Sequence, residues 1–231
     1  RLLNKPLIKI NNKSLIMHVY EKAVKSKVGE VFVATCDEQI ALEVKKNKGN
    51  FIMTNISHKN GTERVCEASK KLKLEQDDYV INVQGDEPMI NSYDIKNLND
   101  ISKLNNLDMS TLAFDIQNVK DLKNKNIVKV ITENKISSSI ISKALTFKRK
   151  IQNIDSDNIY HHCGVYLYKA SILEKLVNFN QTINEKIENL EQLRALDNRI
   201  IINVILADHF SVGIDTLEDL NQFTKLINNI K

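Results

Sequence analysis

Apolar positions along the chain fall into two alternating rhythms, helix-spaced runs and short continuous runs. They predict helices over 14–25, 37–46, 62–71 and 93–104, and strands over 30–34, 51–54, 79–83 and 109–114. Strands alternating with helices of this length predict an α/β fold with a mostly parallel central sheet flanked by helices on both faces. From Ile127 the rhythm changes. Strand-like runs at 127–132, 137–141 and 162–168 have little helix between them, which predicts a smaller antiparallel, strand-rich lobe. Alternation returns with a helix over 184–196, a strand over 200–206 and a helix over 216–230. Asn184 is placed to cap the first of these, with Glu188 in its first turns and Ile187, Leu190 and Leu193 on one face. No repeat, low-complexity tract or linker breaks this pattern, so the reading is a single domain over 1–231 with the lobe at 127–168 inside it.

Composition narrows the partners. Of 231 residues 42% are apolar and 27% charged, with only two Pro, a balance that excludes a disordered chain. The net charge of +4 is small and scattered, which argues against a nucleic-acid or membrane surface and points to small anions. Cys36, Cys66 and Cys163 lie far apart and form no CxxC pair, so neither a zinc knuckle nor a disulfide framework is expected. With no apolar run of about 18 residues and no basic-then-apolar leader in view, the expected location is the cytoplasm.

Candidate chemistry concentrates in a few segments. Gln84-Gly85-Asp86-Glu87-Pro88 follows an apolar strand directly, and open α/β sheets bind ligands beyond the carboxyl ends of their strands. Asp86 there either holds Mg²⁺, which needs one or two carboxylates beside phosphate oxygens, or marks a turn. Asp215, in Gly213-Ile214-Asp215-Thr216, is either a second metal acid or a helix cap. Arg1 and Lys5 precede the apolar 7–10 run, as a triphosphate clamp or as a solvated basic terminus. Asn60-Gly61-Thr62-Glu63-Arg64 stands at a helix entrance, suited to an anion or the polar edge of a base, or simply to capping by Thr62. His161 and His162 are adjacent on a strand and point to opposite faces, so they do not ligate one ion together. His162 and Tyr166 share a face and present an imidazole and a phenol to a ligand or to the core. His18 and His58 receive no role.

The segments 1–6, 60–64, 84–88, 162–166, 188–193 and 213–219 resemble, in order and spacing, the 3-deoxy-manno-octulosonate (Kdo) cytidylyltransferases. The most specific pieces are Val83 to Pro88, Leu190-Glu191-Gln192-Leu193-Arg194 and Gly213 to Thr216, and the resemblance covers essentially the whole chain. It implies a Rossmann-like, homodimeric nucleotidyltransferase that joins CTP and Kdo into CMP-Kdo and pyrophosphate with Mg²⁺, for lipopolysaccharide biosynthesis. By the same resemblance Arg1 and Lys5 bind the triphosphate, and Gly61, Thr62, Arg64 and Gln84 surround the cytidine. Asp86 and Asp215 hold metal, while His162, Tyr166, Glu191 and Gln192 face the sugar acid. The strand-rich lobe becomes the sugar-binding and dimerisation element.

Three departures from the family pattern stand out. The family's apolar strand and Ala-Arg segment before the position of Arg1 are missing, so the natural chain is expected to extend further at its N-terminus. Lys143 stands where the family carries Arg, as does His161, and Lys cannot form a bidentate carboxylate clamp. The stretch 145–150 lacks the family's Pro-Trp, and the chain has no Trp. These leave open, beside Kdo, an 8-amino-Kdo or sialic-type acid as the sugar, with Lys143 as its contact, or a non-catalytic nucleotide- and sugar-binding protein.

Overall fold

A computed structural model describes residues 4–151, 157–211, 213, 214 and 216–229. In chain order the elements are β1 Lys9–Ile10, β2 Lys13–Ser14, α1 Leu15–Ser26, β3 Val33–Thr35, α2 Glu38–Lys46, β4 Phe51–Met53, α3 Gly61–Lys71, β5 Tyr79–Asn82 and α4 Ser92–Leu104. They continue with β6 Met109–Asp115, β7 Lys129–Thr132, β8 Ser142–Lys148, β9 Ile159–Lys169, α5 Ala170–Asn178, α6 Ile183–Glu188, α7 Leu193–Asp197, β10 Asn203–Leu206 and α8 Leu217–Asn229. The chain divides into two compact units, one made of the stretches up to Lys73, Asn82–Lys96 and from His209 onward, the other of Leu74–Ile81 and Asn97–Asp208.

In the first unit β3 and β4 pair in parallel and α1 and α2 pack beside them, with Ile16, Met17 and Val44 buried against Tyr20, Val33, Ile40 and Phe51. A second cluster joins Ile10, Leu15 and Ile214 to Phe223 of α8. Helix α2 starts where Asp37 accepts the amides of Gln39 and Ile40, and α3 starts where Asn60 accepts that of Glu63. The cap of α3 is therefore Asn60 and not Thr62. A carbonyl-type side chain one residue before the helix reaches the free N–H groups that a residue already inside the turn cannot.

The second unit is built on a six-stranded sheet in the order β5-β9-β6-β10-β8-β7. It is mixed: β6 and β10 run parallel, while β9 against β6, β8 against β10, and β7 against both β8 and β9 are antiparallel. The strand-rich excursion is thus part of this sheet. Six of the seven residues of β6 are buried, as befits a strand covered on both faces.

Three expectations are corrected. The run 137–141 is a turn closed by a Ser137–Ile140 bridge, and the strand begins at Ser142, where Ser142, Ala144 and Phe147 turn inward. The helix expected over 184–196 is two helices, because Asn189 takes a left-handed conformation (φ 53°) and ends α6. Its cap is Thr182, in a reciprocal box with Glu185, rather than Asn184. Helix α5, Ala170–Asn178, follows β9 directly in a stretch to which the sequence pattern assigns no element.

A buried lysine and a buried ion pair link elements of the second unit. Lys129 of β7 is fully buried, and its Nζ donates to the carbonyls of Asn124 (2.7 Å), Ile127 (2.8 Å) and Arg149 (2.5 Å). Arg194 of α7 reaches back to Glu185 of α6, Nε to Oε2 at 2.9 Å and Nη2 to Oε1 at 2.6 Å, both residues being buried. Burial alone raises the Glu185 carboxyl; the guanidinium overrides it and the net shift is downward.

Replacing Lys129 by Met leaves three carbonyls without their shared donor, and chemical denaturation is expected to show a loss of about 1–3 kcal/mol. Burial pushes Lys129 down to about 8 from the usual 10.5. Between those values the unfolded chain binds more protons, so the stability of wild type relative to Lys129→Met should rise as pH climbs through that window. Arg194→Met alone strands a buried carboxylate and should cost roughly 3–5 kcal/mol, whereas Glu185→Leu with Arg194→Met should lie close to wild type. Thermal and denaturant melts of both variants check this.

Candidate active site

In the first unit the loop after β5 turns sharply, with the Glu87 amide donating to the Gln84 carbonyl at 3.1 Å and that of Ile90 to the Glu87 carbonyl. This turn presents the Asp86 carboxylate, partly open to solvent, where Lys5 Nζ meets Oδ2 at 2.8 Å. Lys5 arrives there from a short 3₁₀ turn, Lys5–Leu7, set up by Asn4 in a left-handed conformation. Glu87 points inward and accepts from Ser211 Oγ at 3.0 Å. The backbone of 213–214 lies against this turn, the Ile214 amide donating to the Asp86 carbonyl at 2.8 Å. A side chain at Gly213 would come within 3.5 Å of Glu87 Oε1. Arg1 and Asp215 lie outside the described residues.

The start of α3 stands beside Gln84, whose side-chain amide is 3.5 Å from where a Cβ on Gly61 would be. Arg64 turns toward the preceding loop and donates to Thr54 Oγ1 at 2.6 Å, while the Thr62 hydroxyl takes no partner among the described residues. His58, given no role from sequence, proves to be part of a latch. Its Nε2 bonds Glu67, which also accepts the Asn55 amide (2.8 Å) and pairs with Lys71 (2.8 Å). Lys71, Asn55 and His58 together hold the Glu67 carboxyl down to about 2. The loop leading into the candidate nucleotide segment is therefore fixed by a carboxylate in the second turn of the helix.

In the second unit His162 and Tyr166 of β9 come together, rings 5.4 Å apart, across a bulge. Opposite β6, one step from Leu112 to Thr111 spans three residues of β9, from Cys163 to Tyr166. Burial drives His162 down to about 3, with neighbouring His161 adding to the shift, and His161 itself to about 4. Both rings are neutral at physiological pH. His161 packs edge-on against Phe114, away from His162's contacts with Phe147 and Tyr166. Burial pushes the Tyr166 phenol well up, with Tyr168 and then Glu191 contributing, and its hydroxyl has no partner.

Glu191 and Gln192 sit in the short connection between α6 and α7, inside the stretch closed by the Glu185–Arg194 pair. Arg149, which the sequence did not single out, anchors the same connection. Its amide donates to Glu188 Oε2, and its guanidinium to the carbonyls of Glu188 and Asn189. Only the polar contacts, not any local motif, reveal that link. Lys143 is exposed on β8, and its side chain makes no hydrogen bond or ion pair among the described residues.

Among the described residues no group of three or more His, Cys, Asp or Glu is arranged to hold a metal. The oxygen donors at Asp86 suit a hard divalent cation that completes its shell with phosphate and water.

Residues 1–202 match the family described as Cytidylyltransferase. The 3-deoxy-manno-octulosonate cytidylyltransferase of Thermodesulfovibrio yellowstonii is 42% identical over 238 residues, covering 99% of this chain and 93% of that protein. The Fusobacterium nucleatum protein of the same name is 38% identical over 235 residues, covering 100% and 94%. A solved structure of CMP:2-keto-3-deoxy-manno-octonic acid synthetase complexed with CTP superposes with a TM-score of 0.88 at 32% identity, over 100% of this chain and 94% of that one. A UDP-glucose pyrophosphorylase complexed with UDP-glucose shares the fold at 12% identity (TM-score 0.74, covering 98% and 91%). With its α/β nucleotidyltransferase fold and full-length likeness to these relatives, the chain belongs to the cytidylyltransferase family, among the 3-deoxy-manno-octulosonate cytidylyltransferases.

Proposed function

We infer that the chain transfers CMP from CTP to 3-deoxy-D-manno-octulosonate, giving CMP-Kdo and pyrophosphate. The observation that carries this reading is the first unit's meeting of Lys5 and Asp86 at the end of β5, in a chain that matches Kdo cytidylyltransferases over its whole length. The anomeric hydroxyl of the sugar attacks the α-phosphorus, the bond to the β,γ-diphosphate breaks, and the hydroxyl proton is lost. Such a transfer asks the protein for positioning and charge compensation more than for covalent chemistry.

Lys5 neutralises charge that develops on the departing pyrophosphate, with Arg1 as its companion. Gln84 and the start of α3, from Gly61 to Arg64, frame the cytidine. Asp86 would hold the divalent cation, which we take to be Mg²⁺, with Asp215 as the second acid. That ion would supply charge neutralisation at the α-phosphate and make the attacking hydroxyl more acidic. In the second unit His162, Tyr166, Glu191 and Gln192 receive the sugar. Lys143, exposed on β8, is kept as a further contact for the sugar acid. CTP as substrate and three cysteines without disulfides fit a cytoplasmic enzyme.

Pyrophosphate release from CTP, Kdo and Mg²⁺ tests the reaction, with a no-sugar control. Asp86→Asn should lose about 10²- to 10³-fold in turnover at unchanged melting temperature. Wild-type turnover from that variant would remove Asp86 from the chemistry. We also propose that the chain is a homodimer joined through the 127–168 lobe, where Ile140 and Leu145 are more than half exposed. Sedimentation equilibrium at micromolar concentration should find a dimer, and Leu145→Lys should weaken it.

A further inference from the structure

The hydroxyl of Thr111, fully buried on β6, has three polar neighbours. They are the Val165 carbonyl at 2.8 Å, the Cys163 carbonyl at 3.2 Å and His162 Nε2 at 3.0 Å. The two carbonyls belong to the bulged stretch of β9 and only accept. A hydroxyl has one proton. With Nε2 protonated all three contacts are attractive, whereas with a bare Nε2 that single proton could serve the ring or the carbonyls but not both.

We propose that Thr111 is a positioning residue for the acceptor sugar: it fixes His162 in the neutral tautomer protonated on Nε2, leaving Nδ1 as an acceptor for a sugar hydroxyl. Burial keeps the ring from taking a second proton near neutral pH. Nδ1 has no partner among the described residues. Beside it the Tyr166 ring lies 5.4 Å away, its buried hydroxyl also unpartnered. One bare acceptor and one free O–H donor, on side chains more than nine-tenths buried, complement a hydroxyl, which both gives and takes a hydrogen bond. A carboxylate has no proton for Nδ1, so the acid end of the sugar is read elsewhere. The tautomer follows from the free protein alone, whereas the role in sugar recognition rests on the function inferred above.

Long-range proton–nitrogen spectra of the ¹⁵N-labelled full chain at pH 7 report the tautomer of each of its five histidines. His162 is expected to show a protonated Nε2 and a bare Nδ1. Thr111→Val keeps the shape and loses the hydroxyl; it should disturb that signature and raise KM for Kdo about tenfold, with KM for CTP within about twofold. Thr111→Ser should restore both. A wild-type His162 protonated on Nδ1, or on both nitrogens, overturns the proposal. So does a Thr111→Val enzyme with unchanged KM for Kdo, or with equal increases for both substrates. If Thr111→Val does not fold, the wild-type spectrum and the serine variant decide. Absence of turnover with Kdo by wild type is a failure of the function reading and ends the sugar role with it, and the tautomer read in the free protein tells the two failures apart.

Discussion

A polar group taken out of water must find a partner, and in this chain that requirement accounts for much of the architecture. Lys129 spends its three donors on three carbonyls, Glu185 and Arg194 close a bidentate pair, and Thr111 serves the carbonyls of a strand bulge. Each ties together elements that sequence-local forces would leave independent: β7 to its flanking loops, α6 to α7, β6 to β9. The exceptions are as informative. Among the described residues the buried side-chain atoms without partners are Ser14 Oγ, Tyr79 Oη, Asn82 Nδ2 and Tyr166 Oη. Asn82 ends the strand that delivers Asp86, and Tyr166 stands beside His162. Ser14 and Tyr79 coincide with no candidate site, so an orphaned polar atom becomes a functional signal only where other groups converge on it.

The same requirement separates what could be read from sequence from what could not. Helices α1, α2, α3 and α4 and strands β4 and β6 announce themselves by period, because a long amphipathic or continuously apolar run has few alternatives. Strand β8 was missed because its inward positions, Ser142, Ala144 and Phe147, are small or widely spaced among outward lysines. The break between α6 and α7 depends on one Asn taking a left-handed conformation, which a good apolar face conceals. The parallel β6–β10 pairing follows the alternating pattern, but the antiparallel neighbours that surround it are set by long-range register.

Site residues divide along similar lines. Gln84 and Asp86 were legible because strand, turn and acid are contiguous, and the structure sets Asp86 against a lysine 81 positions away. His58 looked idle because its partner Glu67 lies inside the next helix, nine residues on. Thr111 carries no motif at all. An apolar strand with one threonine is ordinary, and only the register slip opposite Cys163 and Tyr166 turns that hydroxyl toward two carbonyls and an imidazole.

The two units use opposite electrostatic strategies, and each suits the ligand chemistry inferred for it. In the first, Lys5 and Asp86 are charged and partly solvated, paired to one another at 2.8 Å. Such a pair contributes little net stability and can exchange partners at small cost, which is what a site receiving a polyanion and a cation needs. In the second, His162 and Tyr166 are neutral and dry, and their protonation states are locked by burial. A neutral donor and acceptor on buried side chains gain their full value only from a ligand that supplies both missing hydrogen bonds, so mismatched hydroxyl patterns are penalised by leaving one of them unmet. Charge compensation without geometric discrimination would accept any nucleotide and any acid; discrimination without exchangeable charge would bind the sugar and leave the phosphorus unreactive. In the function we propose, selectivity for the sugar would rest on the contact that fixes His162 between β6 and β9, and the chemistry at phosphorus on the exchangeability of the Lys5–Asp86 pair.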